Sequence, residues 1–501
     1  MNRLPYINFD NTYVKLSSDF YTEITPRVPS NPSLIKLNSN VADKLGISTE
    51  YLKSSEGLNF LSGSKIIDGS EPIATVYAGH QFGYFSPQLG DGRAILLGEV
   101  AGEKGRYDIQ LKGSGRTPYS RGGDGNAALG PVLREYIISE AMNAIGIPTT
   151  RSLAAILTGD KVVREDVFPG ALLVRVASSH IRVGTFEFFA SRGQYNEVRA
   201  LANYSIQRHF PDLNSSKDKY LGLLNAVSHR QAELIAQWMS VGFIHGVMNT
   251  DNMAICGETI DYGPCAFLDE YNPDQVFSSI DHNGRYKYSN QPKVAPWNLS
   301  RLAETLLPLI ADRPEEAVAD AQNIIESFDR HYDNAFRKLM IKKIGISPFN
   351  SCEEPKLFEH VQTFLEILKA QKADFTNSFR SLTAYLNETV IPKDLNALVP
   401  SEELKAWIKD WKLILKHHNF EKDKALKILS SSNPFIIPRN HQVEKSLLES
   451  VQNYKIGITE FKSFERLIKA LSKPFKDNSK NIDLCLPPKE SEKIHETFCG
   501  T

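Results

Sequence analysis

The chain reads as an α+β protein with a β-rich N-lobe, a helical C-lobe and a helical C-terminal extension. Three observations carry that reading. Between residues 73 and 177, apolar runs of strand length alternate with Gly-rich turns. One helical pattern, after Gly130, interrupts them. From residue 185 onward the apolar residues recur at helical spacing. The boundaries that follow are a wrapping segment at 1–75, the β-rich lobe at 76–180, the helical lobe at 181–300 and the extension at 301–501.

Each element has its reason. Residues 1–75 are polar, with scattered Pro and Asn, and read as a few short helices laid over the domain. Residues 94–100 form an apolar strand, Lys104-Gly105-Arg106 a turn, and 107–112 the returning strand with alternating polarity. Residues 113–130 are Gly-rich and too long for an idle connection, which points to a function. Pro131 suits the first turn of a helix whose apolar face is Leu133, Ile137, Ala141 and Ala144. Gly146 and Pro148 end it. Residues 152–157 and 161–164 read as a hairpin about Thr158-Gly159-Asp160, followed by a strand at 171–176. A helix over 225–243 presents Val227, Leu234, Trp238 and Val241. From Trp297 the pattern is amphipathic helix, broken at Asn433-Pro434 and Ile437-Pro438.

Composition narrows the function classes. Of 501 residues, 41% are hydrophobic and 23% charged, which excludes disorder. A net charge of -1 gives no broad attraction to nucleic acid or to an anionic membrane. No run of about 18 apolar residues occurs, so no membrane helix is expected. The first residues lack a signal-peptide core, and a cytoplasmic location is expected. The five cysteines, at 256, 265, 352, 485 and 499, form no C-x-x-C pair, which argues against a structural zinc site.

The residues able to do chemistry fall into two groups. In the first, Gly90-Asp91-Gly92-Arg93 precedes a strand, and its glycines let backbone N–H groups approach phosphate oxygens. A tight hairpin turn would look the same. Lys112 ends the returning strand, and Glu135, early on the next helix, is its natural holder. Asp124-Gly125 is either a flexible turn or a loop over a nucleotide, with Asp124 accepting from base or sugar. Arg175 and Arg182 flank Ser178-Ser179-His180. An arginine in an apolar strand needs an anion, either an internal carboxylate or a phosphate.

The second group is His245 to Gly263. Asp251, Asn252 and Asp261 supply the oxygen ligands that Mg²⁺ prefers, from two adjacent loops. Residues 253–256 read as a short strand between them. Asp261-Tyr262-Gly263 has the shape of the kinase Asp-Phe-Gly element. An Asx turn is the plainer reading of Asp251-Asn252. His245 is expected to brace the loop.

These motifs, in this order, resemble the selenoprotein O family, a branch of the protein-kinase-like fold. The resemblance rests on residues 77–83 (Tyr-Ala-Gly-His-Gln-Phe-Gly), on the block from Gln110 to Arg121, and on His245 to Gly263. It implies a bilobal protein-kinase-like pseudokinase fold, because Val247 stands where a kinase-like His-Gly-Asp would place its acid. It also implies ATP bound in a flipped orientation and AMP transferred to Ser, Thr or Tyr hydroxyls of proteins, including the enzyme itself. Carried onto this sequence, Lys112 and Arg175 would contact the phosphates, with Arg182 close by in the ATP site and Glu135 fixing Lys112. Gly90, Gly92, Arg93, Asp124 and Gly125 would complete the pocket. Asn252 and Asp261 would hold Mg²⁺ or Mn²⁺, and Asp251 would be the general base. Cys499 stands where animal relatives carry selenocysteine, and by the same resemblance would pair with Cys265, or secondarily Cys256, as a redox restraint. Two other readings stay open at this point: a kinase with ATP upright, and a catalytically silent nucleotide-binding scaffold.

Overall fold

The computed structural model describes residues 7–102, 105–391, 393–395, 397–417 and 421–498. The first 75 residues do more than wrap. They supply strands β1 (Tyr21–Glu23), β2 (Ser33–Leu37) and β3 (Ile73–Thr75), and helices α1 (Ser39–Lys44), α2 (Thr49–Lys53) and α3 (Ser55–Leu61). Each helix is capped by a side-chain oxygen, from Asn38, Ser48 and Ser54 in turn, accepting the backbone N–H three residues on. A small hairpin follows, β4 (Gly79–Gln81) and β5 (Tyr84–Ser86). Then come β6 (Ala94–Gly102), β7 (Gly105–Lys112), β8 (Ala127–Ala128), helix α4 (Leu129–Ile145), β9 (Arg151–Val163) and β10 (Val167–Ala177). Apart from the hairpin, these strands form one antiparallel sheet in the order β1-β3-β6-β7-β10-β9-β2, with β8 against β10.

The two-residue period of the strands decides which side chains meet the site. Ile109, Leu111, Leu172 and Val174 join Val41, Leu52 and Phe60 in a small outer core beneath α1–α3. Ala171 and Leu173 face the other way, into the main core with Leu133, Ile137 and Ala141 of α4. By the same alternation Gln110, Lys112 and Arg175 lie on the α4 side. Register aligns them further, since Arg175 pairs with Gln110 and Leu173 with Lys112.

Two sequence expectations change here. The hairpin about 158–160 does not form; β9 runs through, and the chain reverses after Val163. Thr158-Gly159-Asp160 is a bulge, because Leu157 pairs with Ala171 and Lys161 with Pro169. Gly159 takes φ +77° against the backbone of Asn31. A bulge and a hairpin turn call for the same left-handed glycine, so the local signal does not separate them. The expected strand at 253–256 reduces to one bridge, Ala254 to Arg182.

The helical part begins with α5 (Val183–Ala190), α6 (Tyr195–His209) and α7 (Lys219–Ser240). A two-strand ladder, β11 (Phe243–Ile244) with β12 (Ala266–Phe267), brackets the loop holding Asp251, Asn252 and Asp261. Helices α8 (Gln291–Ile310) and α9 (Pro314–Lys343) then pack on α7. Five more long helices follow: α10 (Glu354–Gln371), α11 (Phe375–Asn387), α12 (Glu402–His417), α13 (Lys422–Ser432) and α14 (Asn440–Lys455). With α15 (Lys462–Leu471), α14 returns to pack on α4. Among the described residues, no helix is long and apolar enough to cross a membrane.

Candidate active site

Three cationic side chains from separate elements close on Asp261, two of them held by Glu135. Lys112, at the end of β7, places Nζ 2.6 Å from Glu135 Oε2 on α4 and 2.6 Å from Asp261 Oδ1. Arg175, on β10, donates to Asp261 Oδ1 at 2.7 Å and approaches Glu135 Oε1 at 3.3 Å. Arg182, just before α5, donates to Asp261 Oδ2 at 2.9 Å and to the Asp251 carbonyl at 2.8 Å. Asp261 itself has φ +62°, a left-handed conformation that a non-glycine residue holds only under constraint. Burial pushes its carboxyl up, but Lys112, Arg175 and Arg182 outweigh burial and hold it well below the ordinary carboxylate range.

Asp251 lies on the loop beyond Arg182 and is buried. Its Oδ2 accepts from Gln81 Nε2 at 3.3 Å, while Oδ1 has no hydrogen-bond partner among the described residues. Burial pushes this carboxyl up to about 6 against the downward pull of Arg182. A buried carboxylate near neutrality is suited to accept a proton at physiological pH. Asn252 donates Nδ2 to the Val247 carbonyl at 2.9 Å, which leaves its Oδ1 as the acceptor end. Val247, in the position of the missing kinase acid, is buried and apolar. His245 braces the loop as expected: Nε2 donates to the Ile260 carbonyl at 2.9 Å, and Nδ1 accepts from the Val247 N–H at 3.4 Å. Burial lowers its pKa, so it is neutral there.

Several site residues escaped sequence reasoning. Gln110 takes Nε and Nη2 of Arg175 on Oε1, at 3.2 and 2.6 Å, and reaches Asp91 Oδ2 at 3.3 Å. Asp91 also accepts from the N–H and hydroxyl of Thr75, and stands 3.9 Å from Arg182. The Arg182 guanidinium lies 4.5 Å above the Tyr77 ring. One signal was available for Gln110: a glutamine alternating with apolar residues in a central strand needs a buried partner.

The Gly-rich elements take a different arrangement. A Cβ on Gly90 would stand 2.5 Å from the Tyr119 ring, and one on Gly92 2.8 Å from the Tyr119 carbonyl. The turn at 90–92 is therefore roofed by residues 117–120, with Thr117 Oγ1 donating to the Asp91 carbonyl at 2.6 Å. Arg93 continues from it and accepts the Gly113 N–H on its carbonyl at 2.7 Å. Asp124 forms a two-pronged pair with Arg164, at 2.9 and 3.0 Å, which pulls its carboxyl down to about 2. Gly125, at φ +69°, packs on the Gly115 backbone. Asp124 and Gly125 make no contact with the Asp261 cluster among the hydrogen bonds and ion pairs of the described residues. Cys265 is free and buried, and burial pushes its thiol up to about 11. Cys256 is free as well, and Cys499 lies outside the described residues. No group of three or more His, Cys, Asp or Glu able to hold a metal occurs among the described residues. Mg²⁺ commonly needs only one or two protein ligands besides phosphate and water, and the oxygens of Asn252 and Asp261 fit that requirement.

A lysine–glutamate pair and an Asp/Asn…Asp loop are parts that position and neutralise a nucleotide's phosphates in phosphoryl-transfer sites. The model of the family described as protein adenylyltransferase SelO matches residues 4–472. The chain belongs to the SelO family of protein adenylyltransferases. It is thus a nucleotidyltransferase, with ATP as the substrate that adenylyl transfer implies. SelO-family relatives span nearly its whole length. It is 49% identical over 495 residues to a protein nucleotidyltransferase YdiU of Bacillus cereus, covering 99% of this chain and 98% of that one. It is 50% identical over 495 residues to the YdiU of Rhizobium johnstonii, covering 98% and 97%. The YdiU of Lachnoclostridium phytofermentans is 49% identical over 498 residues, 99% of this chain and all of that one.

Proposed function

We propose that this protein transfers AMP from ATP to Ser, Thr or Tyr hydroxyls of protein acceptors, itself among them, in the cytoplasm. The observation that carries this reading is the convergence of Lys112, Arg175 and Arg182 on Asp261, one loop from a buried Asp251. Triphosphate oxygens would exchange with Asp261 for these three cations and release its carboxylate. Glu135 and Gln110 would keep Lys112 and Arg175 aimed. With the β- and γ-phosphates drawn toward the arginines, the α-phosphorus faces Asp251. Gly90, Gly92, Arg93, Asp124 and Gly125 would close the nucleotide pocket. Asn252 and Asp261 would hold Mg²⁺ or Mn²⁺, which supplies charge neutralisation on the phosphates when bound.

The step then balances simply. The acceptor oxygen forms a bond to the α-phosphorus, the bond from that phosphorus to the bridging oxygen breaks, and diphosphate leaves. The acceptor proton passes to Asp251. Positioning and charge neutralisation supply the rate. The test uses ATP labelled at the α- or the γ-phosphate, followed by intact-mass analysis of acceptor and enzyme. Retention of α-label with a mass gain of AMP is expected. Retention of γ-label alone would identify a kinase.

A redox restraint belongs to the same reading. Thr497 donates to the Pro264 carbonyl at 2.5 Å, which brings the C-terminal tail beside Cys265. A buried, high-pKa thiol reacts only as its segment opens, so oxidation would be slow. Equal activity of oxidised and fully reduced protein would remove this part of the proposal.

A further inference from the structure

The hairpin β4–β5 is tied to the proposed base at its root and bare at its tip. Gly79 touches Asp251 so closely that a Cβ there would lie 2.9 Å from Asp251 Oδ1. The His80 N–H donates to Thr250 Oγ1 at 2.7 Å, and Gln81 reaches Asp251 Oδ2 at 3.3 Å. The Phe82 N–H is shared between Asn249 Oδ1 at 3.1 Å and the Tyr286 hydroxyl at 3.2 Å. The turn places both Phe82 and Gly83 at positive φ, 52° and 91°. Such a strained turn, bonded to the three residues Asn249, Thr250 and Asp251, is rigidly placed.

Beyond the turn, Tyr84 is 83% exposed and Phe85 40%. The His80 ring packs at 4.9 Å from the Phe85 ring and 5.3 Å from that of Trp297, and its Nδ1 bonds Glu187. The Arg285 guanidinium lies 4.6 Å over the Trp297 ring, and a Cβ on Gly83 would stand 3.7 Å from it. The Arg285 Nε is buried without a hydrogen-bond partner; the nearby Asp281 carboxylate accepts the backbone N–H groups of Arg285 and Tyr286, at 2.8 and 2.7 Å, and no ion pair to the guanidinium occurs among the described residues. On α8, exposed Lys293 stands one turn before Trp297; Arg301, one turn after it and 5.2 Å from its ring, is paired with Glu304 at 2.6 Å, which leaves Lys293 and Arg285 as the ledge's positive charge. The result is a ledge of uncovered aromatic surface and positive charge beginning at Asp251. Exposed aromatics grouped beside a reactive group mark a contact surface. A cation stacked on an indole is partly dehydrated, which strengthens its bond to a carboxylate.

We propose that this ledge docks the acceptor protein. Its occupant is an extended segment whose hydroxyl reaches Asp251, with an acidic side chain close by that pairs with Arg285. Tyr84 and Phe85 pack against the segment's apolar stems. The inference rests on the AMP-transfer reading and adds the chemistry of the acceptor to it.

The experiment uses the full-length protein with a short Ser peptide flanked by glutamates, and its glutamine-flanked twin. Wild type is expected to modify the Glu peptide with a KM about tenfold lower, an interaction of roughly 1.4 kcal/mol. Arg285→Gln is expected to erase that preference while the KM for ATP stays within about twofold. Tyr84→Ser with Phe85→Ser, a surface change that leaves the fold intact, is expected to raise the KM for both peptides. A preference that survives Arg285→Gln, or an acceptor KM unmoved by the double substitution, overturns the docking assignment. The binding of a fluorescent Glu-flanked peptide with Ala in place of Ser separates the two proposals. If wild type transfers no AMP, the reaction reading fails. Loss of that peptide's binding in the variants still supports the ledge, and unchanged binding sinks it. Displacement of the peptide by a single-stranded oligonucleotide at lower concentration would reassign the surface to nucleic acid.

Discussion

Asp261 combines a positive φ with three cationic partners, and each feature accounts for the other. A non-glycine residue in the left-handed region costs roughly 1–3 kcal/mol and persists only where its surroundings hold it. Here the ion pairs to Lys112, Arg175 and Arg182 do the holding. Asp251 works by the opposite device, with burial lifting its carboxyl toward neutrality. Replacing it by Asn keeps the shape and removes the proton acceptor. Asp251→Asn is expected to slow AMP transfer by about 10²–10⁴-fold, with the ATP affinity changed far less. Single-turnover rates beside equilibrium ATP binding check this, and a variant retaining near-full rate would exclude Asp251 as the base. Gly79→Ala probes the same carboxylate from outside. Its methyl would have to displace Asp251 Oδ1, so kcat is expected to fall by about tenfold or more while the melting temperature moves little.

At the scale of elements, α14 is the unexpected participant. Asn440 pairs with Phe267 as a strand would, accepting its N–H at 3.1 Å and donating to its carbonyl at 2.9 Å. Glu444 holds Arg134 at 2.6 Å, and Arg134 donates to the carbonyls of Gly263 and Cys265 at 2.9 and 2.5 Å. Arg439, just before α14, bonds Asp269 at 2.9 Å and Asp374 at 2.7 and 3.0 Å. The C-terminal extension thus clasps the segment downstream of Asp261 and the residue next to Glu135. Asn440→Ala removes both bonds to Phe267, and a cost of about 1–3 kcal/mol is expected from the stranded amide and carbonyl. Faster amide exchange at Phe267, with a slower transfer rate, is the expected readout. Unchanged exchange at that amide would mean α14 does not restrain the segment.

Across the whole molecule, buried charge joins the sheet to the helical part. Asp108 of β7 pairs with Arg208 of α6 at 2.5 Å and with His180 at 2.9 Å. Burial alone would raise the Asp108 carboxyl, but Arg208 and His180 prevail and bring it down to about 2. A folded pKa below the unfolded one means stability that is fully present above about pH 4 and is lost as pH falls toward 2. Asp108→Asn is expected to lower stability at neutral pH and to flatten that acid limb, as measured by urea unfolding at several pH values. Lys343 has the opposite sign. Burial alone brings its pKa down to about 7, so it lowers stability in full below pH 7, an effect that fades as pH rises toward 10. Lys343→Met is expected to raise the melting temperature at neutral pH and to have little effect at pH 10. An equal effect at both pH values would show that Lys343 keeps its charge by means other than solvent, for instance over the Phe379 ring 4.6 Å away.

The order of lobes, the Lys112–Glu135 pair and the loop from His245 to Gly263 could be read directly, because each is written in contiguous residues with a local pattern. Strand alternation even placed Lys112 and Arg175 on a common face once their pairing was known. Contacts between distant segments could not be read. The sheet strands contributed by residues 1–75, the partnership of Gln110 and Asp91 with the arginines, and the return of α14 to α4 all depend on register and packing across the fold. Local turn chemistry was likewise ambiguous, as the bulge at Gly159 and the Asp124–Arg164 pair demonstrate. Periodicity and motif order arise from short-range sterics and hydrogen bonding, which residue types encode position by position. The charge environment that sets the pKa of Asp251 and the backbone of Asp261 arises from side chains up to 170 residues apart, and exists only once the chain has folded.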